Sequence, residues 1–335
     1  MISVLTIYRM SHYSKCRFLF TLTVLMEYVL QILSLMLGLV RATDRPVIGI
    51  LTHEITSDQL RNITSNSTSF LPTSYVKAVE GSGARVVPIF LGKDEEYYLD
   101  LMKNINGLLY PGGDADFDVA NGYASTGHIL YKMAKKVNDN GGHMPILGIC
   151  LGFELLMHVA NNNKELRTDC NATNTMLALR FKPDFQDSKL FSDADPSILH
   201  ILSTQPVTAN FHKYCVTEQN FTKQGLDKEW KILSLNDDSN ALEFVSTFES
   251  KKYPFVGLQY HPEKNVYDWK ISHNNSHSID SIYASRFFFD WLVKESRKST
   301  HKFLNQSIEI NSLINNHSPI YTTNENITFQ EFYAF

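Results

Sequence analysis

The stretch Pro145-Ile146-Leu147-Gly148-Ile149-Cys150-Leu151-Gly152-Phe153-Glu154-Leu155-Leu156-Met157 decides how the rest of the chain is read. Its apolar opening predicts a buried strand, its close predicts a helix, and Gly148-Ile149-Cys150-Leu151-Gly152 is the turn between them. A side chain at the apex of such a turn projects out of the sheet, and glycine on both sides leaves room for the backbone and for a substrate. The dipole at the helix N-terminus favours a thiolate over a thiol. Cys150 is therefore a candidate nucleophile. Taken alone the motif suits a buried structural cysteine equally well, because free cysteine is among the most buried residue types.

A second segment about a hundred residues downstream tips the balance. Pro254-Phe255-Val256-Gly257-Leu258-Gln259-Tyr260 is a strand-like run that delivers His261-Pro262-Glu263 at its end. A cysteine nucleophile needs a base, and the base needs a partner that orients it; His261 and Glu263 supply both types two residues apart. Positions i and i+2 of an extended segment point the same way, with Pro262 a local complication. A third piece, Gly107-Leu108-Leu109-Tyr110-Pro111-Gly112-Gly113-Asp114, is an apolar strand opening into a Pro-Gly-Gly loop. Thioester chemistry passes through tetrahedral oxyanions, which preorganised backbone N–H groups stabilise. The Gly-rich loop and the N–H of Leu151 are the candidate donors. Such tripeptides mark ordinary turns far more often than oxyanion holes, so the loop gains its meaning from the other two motifs.

Around these motifs strand and helix alternate. Strands are expected at 47–51, 85–90 and up to Pro111, and helices at 74–80, 95–103 and 128–137. That order predicts an α/β fold with a mostly parallel sheet covered by helices on both faces, its site at the carboxyl ends of the strands. Residues 177–248 are more strand-rich and irregular, as expected of an excursion that builds part of a substrate pocket. A last helix at 279–297 carries Phe287-Phe288-Phe289 and Trp291-Leu292, read as core. Residues 300–335, rich in Asn and Ser, show no period and are expected to be a surface tail or short appended element.

The N-terminus carries an address. Lys15 and Arg17 precede an apolar run from Phe18 that continues through Val40, broken by Glu27 and Gln31. Residues 1–42 read as a secretory signal with processing between Gly38 and Asp44. A retained signal anchor is the rival, against which Glu27 within the run argues. Sequons at Asn62, Asn66, Asn171, Asn220, Asn274, Asn305, Asn316 and Asn326 agree with the secretory pathway, although a chain so rich in Asn, Ser and Thr yields some by chance. Cys16 would leave with the signal and Cys150 must stay free, so only Cys170 and Cys215 remain to pair. With 335 residues, 43% of them hydrophobic, the chain can bury a large core. A net charge of -4 gives no electrostatic case for nucleic acid. His273 and His277 lie i and i+4 but in a turn-like stretch, so no metal site and no cofactor are expected.

The order Pro-Gly-Gly, Gly-x-Cys-x-Gly, Tyr-His-Pro-Glu resembles the class I glutamine amidotransferase superfamily, and within it the gamma-glutamyl hydrolase (folylpolyglutamate hydrolase) family. The resemblance is carried by Arg45–Thr52, Leu109–Gly113, Gly148–Glu154, Gly257–Lys264 and two segments closer to the hydrolases than to the superfamily, Thr208–Lys213 and Tyr267–Lys270. It implies a flavodoxin-like three-layer domain over 43–299. It also implies a cysteine omega-peptidase that cleaves the gamma-glutamyl bonds of folyl poly-γ-glutamates through a thioester, in the lysosome (vacuole) or outside the cell. Cys150 would be the nucleophile, His261 the base and then the acid, and Glu263 its orienter. Gly113 and Leu151 would be the oxyanion donors beside Gly112, and His212 a substrate-binding residue, with His212 and Lys213 the cations expected to meet an anionic substrate. Partners are expected to be a small-molecule substrate, with no nucleic acid, no metal and a membrane only through an uncleaved signal; a homodimer is left open. A glutamine amidotransferase-type glutaminase would share the triad but needs an acceptor for ammonia. A catalytically silent binder of glutamylated ligands has no reason to keep Cys150, His261 and Glu263 together.

Overall fold

Five runs of four or five mostly apolar residues pack side by side as parallel strands because almost every one of their side chains is buried, the pattern of a sheet covered on both faces. The computed structural model describes Leu25, Met26, Tyr28, Val29, residues 43–64 and residues 66–335. The expected signal over 1–42, with Cys16, falls almost wholly outside these residues, and residues 43–335 make one unit. Its strands, in chain order, are β1 (Val47–Leu51), β2 (His53–Glu54), β3 (Ser69–Pro72), β4 (Arg85–Ile89), β5 (Gly107–Tyr110), β6 (Ile146–Ile149), β7 (Thr168–Leu177), β8 (Arg180–Phe181), β9 (Thr208–Cys215), β10 (Trp230–Asp237), β11 (Glu243–Ser250), β12 (Phe255–Leu258), β13 (Ile320–Tyr321) and β14 (Glu331–Ala334).

The main sheet runs β4-β1-β5-β6-β12-β11-β10-β8, parallel from β4 to β12 and antiparallel beyond. Pro88 is tolerated in β4 because β4 is the sheet's edge and the missing N–H costs no ladder bond there. Helices Glu95–Asn104, Tyr123–Asp139 and Leu151–Ala160 supply one apolar layer, and helices Thr73–Gly81, Pro196–Thr204 and Ile279–Ser296 the other. Phe288, Phe289, Trp291 and Leu292 are buried in that second layer. The expected α/β fold with a mostly parallel, doubly covered sheet is the fold observed.

One expectation is revised and one made definite. The strand-rich excursion is not confined to 177–248 and is not one body. It begins with β7 at Thr168, which pairs antiparallel with β9 in a two-stranded sheet, whereas β10 and β11 extend the main sheet. Cys170 and Cys215 join β7 to β9 as a disulfide. Residues 300–335, expected as a surface tail or a short appended element, form such an element. β13 and β14 pair with each other, and β14 pairs with β3, in a four-stranded sheet of order β13-β14-β3-β2. The reason is apolar burial: Ile327 and Phe332 fill a small core with Ile55, Leu60 and Phe70. Such short strands carry too little alternation to be seen as a period.

Candidate active site

The three motif loops lie far apart in sequence yet meet because β5, β6 and β12 are neighbours in the sheet and each loop leaves the carboxyl end of its strand. Cys150 sits on the turn between β6 and the helix Leu151–Ala160 with φ 51° and ψ -104°, a positive-φ backbone conformation that a non-glycine residue holds only under constraint. The constraint is visible: its N–H donates to the Leu258 carbonyl of β12 at 2.7 Å, and its carbonyl accepts from Glu154 N–H at 3.0 Å. Gly152 packs so close to β5 that a Cβ there would collide with the Tyr110 carbonyl.

His261 is held from both sides. Its backbone N–H donates to the Ala209 carbonyl of β9 at 2.8 Å, and its Nδ1 lies 2.7 Å from Glu263 Oε1. A carboxylate only accepts, so it keeps the proton on Nδ1 and leaves Nε2 as the basic nitrogen. The expected i, i+2 geometry of an extended segment is not how the pair forms. Glu263 has φ -66° and ψ -28°, so a turn after the strand brings the carboxylate back to the ring. Both side chains are buried, which strengthens the contact.

Gly112 is where the loops converge. A Cβ on it would stand 2.5 Å from His261 Cε1, 2.8 Å from Tyr75 Oη and 3.1 Å from Cys150 Cβ, so only glycine fits between the base and the thiol. Its N–H, however, is already spent on Tyr75 Oη at 2.9 Å. Gly112 therefore has a steric part beside the two expected donors, the N–H groups of Gly113 and Leu151. Tyr75 Oη also lies 3.3 Å from His261 Nδ1, so one hydroxyl ties the Pro-Gly-Gly loop to the base.

Burial pushes the Cys150 thiol well above its ordinary value, and nearby Glu154 and Glu263 push it the same way; the Leu151 N–H and Lys264 oppose them. Burial thus works against the helix dipole's preference for a thiolate, and a nucleophilic role calls for a base nearby. Glu154, whose pKa burial raises to about 7, is bonded to Arg167 Nη1 at 3.0 Å and Gln259 Nε2 at 3.2 Å.

His212 stands differently from its expectation as a cationic or donor contact. It is buried on β9 with Nδ1 3.0 Å from the Tyr214 carbonyl and Nε2 3.1 Å from the Asn210 side-chain amide. Both disulfide sulfurs lie 3.5 Å from Nδ1, and the ring meets Phe244 edge-on. Burial lowers its pKa to about 3, so it is neutral at pH 7, and its single N–H can donate to only one of these two acceptor oxygens at a time. Cys170, Cys215 and His212 are grouped as metal ligands would be, but the disulfide occupies both sulfurs. Lys213, the other expected cation, is exposed.

Sequence reasoning missed Tyr75 and gave Lys264 no role. Tyr75 is one tyrosine on the helix Thr73–Gly81, indistinguishable by pattern from core. Lys264 directly follows Glu263, is buried, bonds Asp268 Oδ2 at 2.9 Å and lies over the Phe211 ring at 4.8 Å. The sequence signals this buried ammonium only by its place in the Tyr-His-Pro-Glu-Lys run.

Residues 46–263 match the family described as Peptidase C26. Gamma-glutamyl hydrolase B of Dictyostelium discoideum is 36% identical over 283 residues, covering 84% of this chain and 81% of that protein. The gamma-glutamyl hydrolase of Rattus norvegicus is 36% identical over 296 residues, 88% of this chain and 91% of that one. That of Homo sapiens is 36% identical over 292 residues, 87% and 90% of the two chains. A solved glutamine amido transferase from Methylobacillus flagellatus is similar with a TM-score of 0.44 at 10% identity, over 78% of this chain and 98% of that chain. With the family match spanning the Pro-Gly-Gly loop, the Cys150 elbow and the His261–Glu263 pair, and with identities that hold across most of both chains, the protein belongs to the peptidase C26 family, that of the gamma-glutamyl hydrolases.

Proposed function

We propose that the protein is a cysteine hydrolase that cleaves the gamma-glutamyl bonds of folyl poly-γ-glutamates, with Cys150 as nucleophile, His261 as base and acid, and Glu263 as orienter. The observation that carries this reading is the convergence of Cys150, His261 and the Pro-Gly-Gly loop on Gly112, with Glu263 fixing the tautomer of the base. His261 Nε2 takes the thiol proton as Sγ attacks the γ-carbonyl carbon, and the carbonyl oxygen becomes an oxyanion facing the N–H groups of Gly113 and Leu151. Collapse of the intermediate breaks the C–N bond, and His261 returns its proton to the departing amine. Water, deprotonated by the same nitrogen, then attacks the thioester, releasing the new carboxyl group and restoring the thiol. No step needs a cofactor or a metal.

The substrate tail is anionic, and burial leaves His212 neutral, so any contact it makes with that tail is that of an uncharged residue. The run at 18–40 and the eight sequons support a route through the secretory pathway to the lysosome or the exterior. Among the described residues no helix is long and apolar enough to cross a membrane.

The test is chromatography of the products formed from a pteroylpolyglutamate by the purified protein and by Cys150→Ala. The parent should shorten the glutamate tail, releasing glutamate or γ-glutamyl peptides, and the folded variant should release none. Activity above a few per cent in the variant would overturn the mechanism, and an inert parent would overturn the substrate.

A further inference from the structure

We propose that His53 is a positioning residue that sets the plane of the Gly112–Gly113 peptide and so aims the Gly113 N–H at the reacting carbonyl oxygen. The inference rests on the thioester reading above. His53 lies on β2 and is 2% exposed. The ring edge that carries both nitrogens is turned to the loop: a Cβ on Gly113 would stand 2.6 Å from Cε1 and 3.0 Å from each of Nδ1 and Nε2. Among the described residues neither nitrogen finds a hydrogen-bond partner, a costly state for a buried polar group. The ring is not free to turn away, since it stacks on Tyr123 at 4.5 Å with 10° between the planes and packs against Phe70 at 5.5 Å.

The same loop is gripped at its other polar groups. Tyr123 Oη donates to the Pro111 carbonyl at 2.7 Å, and Gly112 N–H donates to Tyr75 Oη. What remains is the peptide joining Gly112 to Gly113. In a trans peptide the carbonyl and the N–H point in opposite directions, so whatever holds the Gly112 carbonyl decides where the Gly113 N–H points. Burial lowers the ring's pKa to about 3 against the opposing effect of the Gly112 backbone, which keeps the imidazole neutral. A neutral imidazole carries one N–H, and the ring edge held against Gly113 places that donor to close on the Gly112 carbonyl when an oxyanion draws the Gly113 N–H. Active-site hydrogen bonds commonly tighten in this way on binding.

The experiment compares the full-length parent with His53→Phe, which keeps the stack and loses the donor, and His53→Gln, which restores a donor. The readouts are kcat, KM, Tm and inhibition by a γ-glutamyl aldehyde. Cys150 Sγ adds to the aldehyde carbon, its proton passes to His261, and the former carbonyl oxygen occupies the oxyanion position. His53→Phe should lower kcat about tenfold to hundredfold with KM within twofold, and weaken the aldehyde in proportion. Its Tm should not fall, because unpartnered buried nitrogens have been removed, and His53→Gln should recover part of kcat. Parental kcat and aldehyde affinity in His53→Phe, with the parent active, would overturn this inference alone. So would a kcat loss that follows a fall in Tm and is not recovered in His53→Gln. A parent inert toward every γ-glutamyl substrate would overturn both this inference and the reading beneath it.

Discussion

Two buried histidines sit on adjoining segments, linked by the bond from His261 N–H to the Ala209 carbonyl, and their surroundings differ in one respect that matters. His261 faces a carboxylate, whereas His212 faces a backbone carbonyl, an amide and a disulfide. A carboxylate stabilises the imidazolium formed in proton transfer, and neutral partners in a dry site do not. Burial alone therefore says nothing about which histidine is chemical. The partner does.

The contrast breaks most easily at His261. His261→Asn should lower kcat by about 10² to 10⁴-fold, the usual worth of positioned proton transfer, while Glu263→Gln should cost less. Equal and negligible losses in steady-state kinetics would remove this segment from the chemistry.

The disulfide behind His212 is the next test. It closes a separation of 45 residues, so Cys170→Ser with Cys215→Ser should lower unfolding free energy by up to about 4 kcal/mol in urea titrations. Turnover per folded molecule should stay within about threefold; a larger fall would show that the two regions act together.

A third buried ionisable group shows the cost of charge in the same interior. Glu154 is raised from 4.5 to about 7 by burial, so the folded state holds its proton more tightly than the unfolded state between those pH values. Its contribution is therefore favourable below pH 4.5 and is lost as pH rises to 7, up to about 3 kcal/mol. Glu154→Gln should flatten that part of the stability curve, measured by denaturation at stepped pH.

The smallest effect is expected at His212 itself. His212→Gln should cost about 1 to 2 kcal/mol of stability, through a lost hydrogen bond and the lost contact with Phe244, and leave kcat within about threefold. A raised KM with unchanged Tm would return His212 to the substrate site.

What the sequence made legible follows the same division. Cys150 and the His261-Pro262-Glu263 run were readable because each lies within a few residues of a strand end and its chemistry is local. The steric part of Gly112 was not, because it depends on Tyr75 from another helix and on loops that converge only in space. His53 was hidden for the same reason: two residues of β2 leave no period, and its neighbours Gly113 and Tyr123 are distant in the chain. His212 could be read as a cation because a residue type carries no record of its partners. The span 300–335 was underread because four residues of strand β14 are held by β3 rather than by their own propensity.

That pairing of β14 with β3 also has a consequence in time. Thr73, directly after β3, bonds Glu331 across 258 residues of chain, so at roughly 5 to 20 residues per second β3 leaves the ribosome some 13 to 50 s before its partner exists. Through that interval one edge of β3, with Phe70 and Leu71 on it, has no neighbour in its own sheet, and the Phe70 that packs against His53 waits with it. The newborn chain can lay down its parallel sheet and its nucleophile elbow early, yet the wall behind the Pro-Gly-Gly loop is finished only once Glu331–Ala334 have followed.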